Sequence, residues 1–189
     1  MSGPIQSGFW RRTYARVVFL PTLWWNMLLG RWLKVRNWFD WIDPLVIVGA
    51  RPFARDVAKM AELNVGGVVN TCEEYCGPVE QYAKHEIEQL HLPITDFTHP
   101  SLQDVITGVD FIQRITQSGK AVYIHCKAGR ARSATIAICW LIAHRDMSPA
   151  EAQAWLLEKR PHINPRLTTR PVVQEFVRHL AEQQPAEAR

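Results

Sequence analysis

The chain has 189 residues, of which 47% are apolar and 21% charged. That length holds one domain with a modest extension, and the composition excludes a collagen-like chain, a wholly disordered chain and a disulfide-stapled mini-protein. The net charge of +4 is unevenly spread: residues 1–39 carry six Arg or Lys and no acid, whereas residues 40–189 carry 16 basic against 18 acidic residues, a net of −2.

Residues 1–39 read as a leader to a separate body. The uncharged run Val17–Gly30 (VVFLPTLWWNMLLG) has 14 residues, fewer than the roughly 20 that a helix needs to cross a bilayer. Pro21 interrupts it. Five of the eight tryptophans (Trp10, Trp24, Trp25, Trp32 and Trp38) cluster here with the arginines, with Trp41 just beyond, and both residue types favour the headgroup zone. The pattern predicts a segment lying on a membrane surface. A mitochondrial targeting peptide, or tryptophans that cover the body's core, are the alternatives. Nucleic acid is not indicated, because the basic residues are few and the body is slightly acidic.

In the body, Leu45–Gly49 reads as a short apolar strand and Phe53–Leu63 as a helix with Val57, Met60 and Leu63 on one face. Val65–Thr71 is expected as a second buried strand, Val79–His85 as a short helix and Ile87–Ile94 as an alternating strand. Ser101 and Asp104 form a capping pair for a helix to about Ser118, ended by Gly119. Ala121–His125 is then a strand and Ser133–Arg145 an apolar helix. Ser148, Pro149 and Glu151 start another helix, which runs to Lys159 and is closed by Pro161. Thr169–Gln183 carries a last helical stripe. Strands alternating with helices predict an α/β domain over residues 40–184, with a central, mainly parallel sheet flanked by helices. Residues 185–189 are expected to fray.

The cysteines Cys72, Cys76, Cys126 and Cys139 contain no CxxC pair, so neither a zinc site nor a disulfide framework is indicated, and a reducing compartment is the default. Cys126 stands apart. It opens the segment His125-Cys-Lys-Ala-Gly-Arg-Ala-Arg-Ser133 between an apolar strand and an apolar helix. Such a turn aims backbone N–H groups, here those of Lys127, Ala128, Gly129, Arg130, Ala131 and Arg132, at one point suited to a phosphate. Gly129 lets the backbone bend there. The same positive field lowers a thiol's pKa, so Cys126 is expected as a thiolate nucleophile. Arg132 can grip two phosphate oxygens with its planar fork.

This Cys-x5-Arg-Ser segment resembles the cysteine-dependent protein-tyrosine-phosphatase superfamily, in its small dual-specificity branch. The resemblance implies hydrolysis of a phosphomonoester through a phosphocysteine on Cys126. Arg132 would bind the phosphate, His125 would hold the loop and favour the thiolate, and Ser133 would hydrogen-bond the departing thiolate. It also implies a general acid some 30 residues earlier, for which Asp96 is the candidate in place of the capping Asp104 or the helical Asp110. Neither a metal nor an organic cofactor is called for.

The chain is further similar, over nearly its whole length, to mitochondrial lipid phosphatases of this superfamily that act on phosphatidylglycerophosphate. The matching stretches are Ala15-Arg-Val-Val-Phe-Leu-Pro-Thr22, Ile42-Asp-Pro44, Cys72-Glu-Glu-Tyr75, His125–Thr135 and Ser148-Pro-Ala-Glu-Ala152. The resemblance implies that Glu73, Glu74 and Tyr75 border the active site and that the partner is a phospholipid phosphomonoester. It places the enzyme at a membrane surface: the matrix side of the mitochondrial inner membrane in a eukaryote, the cytoplasmic face of the inner membrane in a bacterium. A phosphatase acting on proteins or phosphoinositides shares the chemistry, and a non-catalytic phosphate-binding scaffold is a further alternative. Cys72 and Cys76 read as ordinary buried thiols, with an oxidative disulfide to Cys126 as the competing idea. The sequence carries no signal of oligomeric state.

Overall fold

A computed structural model of the chain describes residues 36–183. The first 35 residues, and with them most of the expected interfacial leader, lie outside the described residues, as does the C-terminal tail. Five strands form one sheet: β1 (Phe39–Asp43), β2 (Val46–Gly49), β3 (Val65–Asn70), β4 (Glu88–His91) and β5 (Ala121–His125), in the order β1-β2-β5-β3-β4. β1 pairs antiparallel with β2, and every other pairing is parallel. The sheet is thus mainly parallel, with β5 at its centre.

The helices are α1 (Val57–Glu62, preceded by a 3-10 turn at Ala54–Asp56), α2 (Val79–Lys84), α3 (Leu102–Gln117), α4 (Arg132–His144), α5 (Pro149–Lys159) and α6 (Pro171–Gln183). Alternation along the strands divides the core between the two faces. Val46, Val48, Val69, Val122 and Ile124 pack against α3, α4, α5 and α6, while Ile47, Val68, Ala121 and Tyr123 pack against α1 and α2. α4 is buried from Arg132 through Leu141, which explains its nearly continuous apolar sequence. The reciprocal caps Ser101–Asp104 and Ser148–Glu151 both form as their spacing predicts.

Three local readings are corrected. β1 has no counterpart among the expected elements. Its aromatic residues read as part of the leader, but the Trp38 carbonyl accepts a hydrogen bond from Ala50 N (2.8 Å) and Phe39 pairs with Gly49. The strand expected over Ile87–Ile94 is only four residues long, because Pro93 has no N–H for a ladder and the chain turns away toward Asp96. Cys72 is buried, but Cys76 is exposed rather than buried.

Candidate active site

The site lies at the carboxyl ends of β3 and β5, where the loop from His125 to Arg132 enters α4. Gly129 adopts φ +66°, and a Cβ there would run into the Gly49 carbonyl at the end of β2. Glycine is therefore required twice, by its left-handed backbone and by the neighbouring strand. The loop curls over the Cys126 sulfur. Gly129 N donates to Sγ at 3.2 Å and Ser133 Oγ at 3.4 Å. Burial alone would push the thiol up. The Arg132 charge, the Ser133 hydroxyl and the N–H groups of Ser133 and Arg130 outweigh it and bring the pKa down to about 7. In the other buried thiols burial prevails: it pushes Cys72 up despite the Arg132 charge, and it pushes Cys139 up unopposed. Cys126 is the cysteine whose surroundings select the thiolate.

Arg132 is almost completely buried, and its partners leave one side of the fork for a ligand. Nη1 donates to Glu74 Oε2 (2.8 Å) and Ile94 O (2.8 Å), and Nη2 donates to Glu74 Oε1 (2.8 Å). Nη2 also lies 3.1 Å from Asp96 Oδ1. Nε is buried with no hydrogen-bond partner among the described residues. Glu74 thus takes the Nη1 and Nη2 end of the fork, and the Nε side, where Nη2 also meets Asp96, is the side an incoming phosphate can take bidentately. Burial disfavours the charge on Arg132, but the Glu74 hydrogen bonds, the nearby thiols and Asp96 raise its pKa above the ordinary arginine value.

Asp96, 30 residues before Cys126 in sequence, reaches the same point. Its Oδ2 accepts a hydrogen bond from Lys127 Nζ. Lys127 itself is buried, and its Nζ lies 5.6 Å from the ring centre of the exposed Phe97. The Glu73-Glu74-Tyr75 segment divides its work. Glu74 orients Arg132. Glu73 accepts from Thr95 Oγ1 (2.7 Å) and so ties down the loop that carries Asp96. Tyr75 donates to Pro52 O (2.6 Å) and lies under the Arg51 guanidinium.

His125 is fully buried between Tyr75 and Tyr123. Burial lowers its pKa to about 3. Its imidazole is neutral, so it does not favour the thiolate through charge. The Arg130 side chain turns to the rim, where Nε donates to His162 O at 2.6 Å. The backbones of Ala128 and Ala131 serve the loop from behind. Ala128 O accepts from Arg160 Nη2 (3.1 Å), and Ala131 O accepts from Thr135 Oγ1 (2.9 Å).

Two residues had escaped the sequence reading. Arg160, 1% exposed, donates from Nε to Gly129 O (2.9 Å), forms an ion pair with Asp40 and reaches the Asn37 carbonyl (3.4 Å). Arg170, buried just before α6, donates to Thr135 Oγ1 (2.7 Å) and Ala131 O (3.4 Å). Each immediately precedes a proline at a helix end, Pro161 and Pro171. That position signals a boundary, and nothing in one sequence marks a buried guanidinium there.

A cysteine held under backbone N–H groups that favour its thiolate, an arginine fork and an adjacent aspartate define a cysteine-dependent phosphatase. The sequence profile of the dual-specificity phosphatase catalytic domain matches residues 46–179, and the chain belongs to that family. It is 38% identical over 166 residues to phosphatidylglycerophosphate phosphatase PTPMT2 of Arabidopsis thaliana, a match covering 86% of this chain and 73% of that one. It is 37% identical over 171 residues to phosphatidylglycerophosphatase and protein-tyrosine phosphatase 1 of Mus musculus, covering 86% and 89% of the two chains. Among solved structures, PTPMT1 in complex with PI(5)P superposes with a TM-score of 0.72 at 33% identity, covering 78% of this chain and 99% of that one.

Proposed function

We propose that the chain removes the terminal phosphate of phosphatidylglycerophosphate to give phosphatidylglycerol, at a membrane surface that it meets through residues 1–39. The observation that carries the substrate is the likeness, over 86% of the chain, to proteins named for that activity. The leader's pattern of tryptophan and arginine supports attachment to the surface, and no helix among the described residues is long and apolar enough to cross a membrane.

In this reading each residue takes a role that its position supports. The phosphate dianion enters under the N–H groups of the loop and takes the Nε and Nη2 edge of Arg132, displacing Asp96 from its cations. The Cys126 thiolate attacks phosphorus in line with the departing glycerol oxygen. Asp96, released from its cations, takes a proton from solvent and passes it to that oxygen, so that an alcohol leaves in place of an alkoxide. Water then attacks the phosphocysteine. Asp96 takes a proton from it, the P–S bond breaks, and Ser133 donates its hydroxyl hydrogen bond to the thiolate that re-forms. Arg132, oriented by Glu74, stays against the equatorial oxygens in both steps. His125, neutral and buried, supports the loop by packing.

The test is phosphate release from vesicles containing phosphatidylglycerophosphate, with phosphoinositide vesicles and a phosphotyrosine peptide alongside and Cys126→Ser as the blank. Preference for phosphatidylglycerophosphate is expected. Preference for the peptide would keep the phosphocysteine chemistry and overturn the substrate.

A further inference from the structure

Behind the rim of the phosphate loop lies an open groove of about 630 Å³, lined among others by Arg36, Asn37, Asp40, Arg130 and His162. Its charges do not balance. Arg36 and Arg130 face it, and Arg160 lies beneath. Asp40 is the lining carboxylate, and both of its oxygens are engaged, one by Arg160 Nη1 and one by Asn37 Nδ2. Among the described residues, neither Arg36 nor Arg130 has a carboxylate partner. The cations are close enough to oppose one another: burial first, then the charges of Arg36 and Arg160, hold Arg130 below the ordinary arginine value. Burial and the same arginines push His162 down to about 4, so it is a neutral hydrogen-bonding group at pH 7. Like charges gathered on a groove wall without a counter-charge favour an anion.

The groove is joined to the catalytic loop through a single residue. The Arg130 N–H helps to stabilise the Cys126 thiolate, while its side chain lines the groove. That side chain is fixed by its Nε bond to His162 O, and the Arg130 carbonyl accepts from Asn164 N (2.9 Å). Five bonds separate the Arg130 Cα from its guanidinium carbon, a reach of about 6 Å. In phosphatidylglycerophosphate, one glycerol links the terminal monoester to a diester phosphate, and the six bonds between the two phosphorus atoms span about 7 Å when extended. The Arg130 side chain, which leads from the loop to the groove, is thus of similar length to that glycerol spacer.

We infer that the groove lined by Arg36, Arg130 and His162 is a second anion subsite, which binds the diester phosphate of the substrate while the monoester occupies the Cys126 loop. This rests on the substrate reading above and adds the source of its selectivity: a substrate with two phosphates one glycerol apart is held at both ends. Arg36 and Arg130 supply the charge, and His162 supplies a neutral donor.

The test uses the full chain and water-soluble substrates, so that attachment of the leader to lipid plays no part. Glycerophosphoglycerol phosphate carries both a monoester and a diester, whereas glycerol 3-phosphate carries the monoester alone. The wild type is expected to favour the first in kcat/KM by about tenfold or more, as a charge-assisted contact predicts. Arg36→Gln is expected to erase most of that preference through KM, with kcat and the glycerol 3-phosphate reaction within about twofold of wild type. Arg36→Lys is expected to restore part of it, and added salt to weaken it. A preference unchanged in Arg36→Gln, or equal losses on both substrates, would overturn the subsite. So would a wild type with no preference between the two. The lipid assay fails separately: vesicle turnover of phosphatidylglycerophosphate with no dependence on the diester would retain the function and remove the groove from it. A soluble preference that Arg36→Gln abolishes, in an enzyme inactive on the lipid, would do the reverse.

Discussion

Arg160 is where the structure makes its sharpest quantitative demand. Replacing it with Met keeps much of the side chain's apolar bulk and removes every polar contact. Asp40, only 11% exposed at its side chain, then loses its cation. The carbonyls of Ala128 and Gly129 lose the donor that pins them from behind. Breaking a buried ion pair from one side costs about 3–5 kcal/mol. In a body of this size each kcal/mol moves the melting temperature by about 2–4 °C, so Arg160→Met should melt roughly 10 °C below wild type. The same carbonyls set the curvature of the loop over Cys126, and a shift of about 1 Å there costs on the order of 100-fold in turnover. Thermal unfolding and kcat on an aryl phosphate, measured on one preparation, read both effects. The companion variant Asp40→Asn, alone and combined with Arg160→Met, closes a double-mutant cycle with an expected coupling of about 2 kcal/mol. If Arg160→Met melted within about 2 °C of wild type, or the two changes were additive, the assignment of Arg160 as the clamp behind the loop would be wrong.

Gly129→Ala should be more damaging than a methyl group suggests, because the left-handed φ costs roughly 1–2 kcal/mol and the added carbon meets the Gly49 carbonyl; kcat should fall at least about 100-fold, and near-normal activity would refute the close approach of β2. Asp96→Asn should slow an alkyl phosphate by about 100-fold or more and a nitrophenyl phosphate far less, since nitrophenolate leaves unaided; equal losses would remove Asp96 from the proton transfer. Cys126 should be alkylated by iodoacetate with a midpoint near pH 7, and a midpoint near 9 would contradict the field described around it. The sign for stability follows from the depressed thiol. The thiolate's contribution is complete above its ordinary value of 9.0 and is lost as pH falls through about 7, so the stability difference between wild type and Cys126→Ser should widen from pH 7 to pH 9.

Much of this protein is determined by its sequence read locally. The β5 strand, the glycine-bearing turn and the apolar α4 are consecutive, so the nucleophile, its N–H cradle, Arg132 and Ser133 arrive together wherever that stretch folds. The capping pairs at Ser101 and Ser148 are equally local: each side chain reaches a backbone N–H three residues away. Period-two alternation and caps act over a few residues, and their physics does not depend on the rest of the chain.

Only the tertiary structure decided the contacts made at long range. Asp96 and Glu74 meet Arg132 because β3, β4 and β5 lie parallel with their carboxyl ends on one side, and that order follows from packing both faces of the sheet. Thr95 on Glu73, Arg170 on the Ala131 carbonyl and Arg160 between Asp40 and the phosphate loop join segments 22, 39 and 120 residues apart. β1 escaped detection for the same reason. Its aromatic residues fit either a membrane surface or a sheet edge, and the choice is made by β2, which supplies the backbone partners that an isolated segment lacks. A buried guanidinium carries no local signature at all. It becomes stable only when the fold assembles a carboxylate and several carbonyls around it, and that assembly is a property of the whole domain.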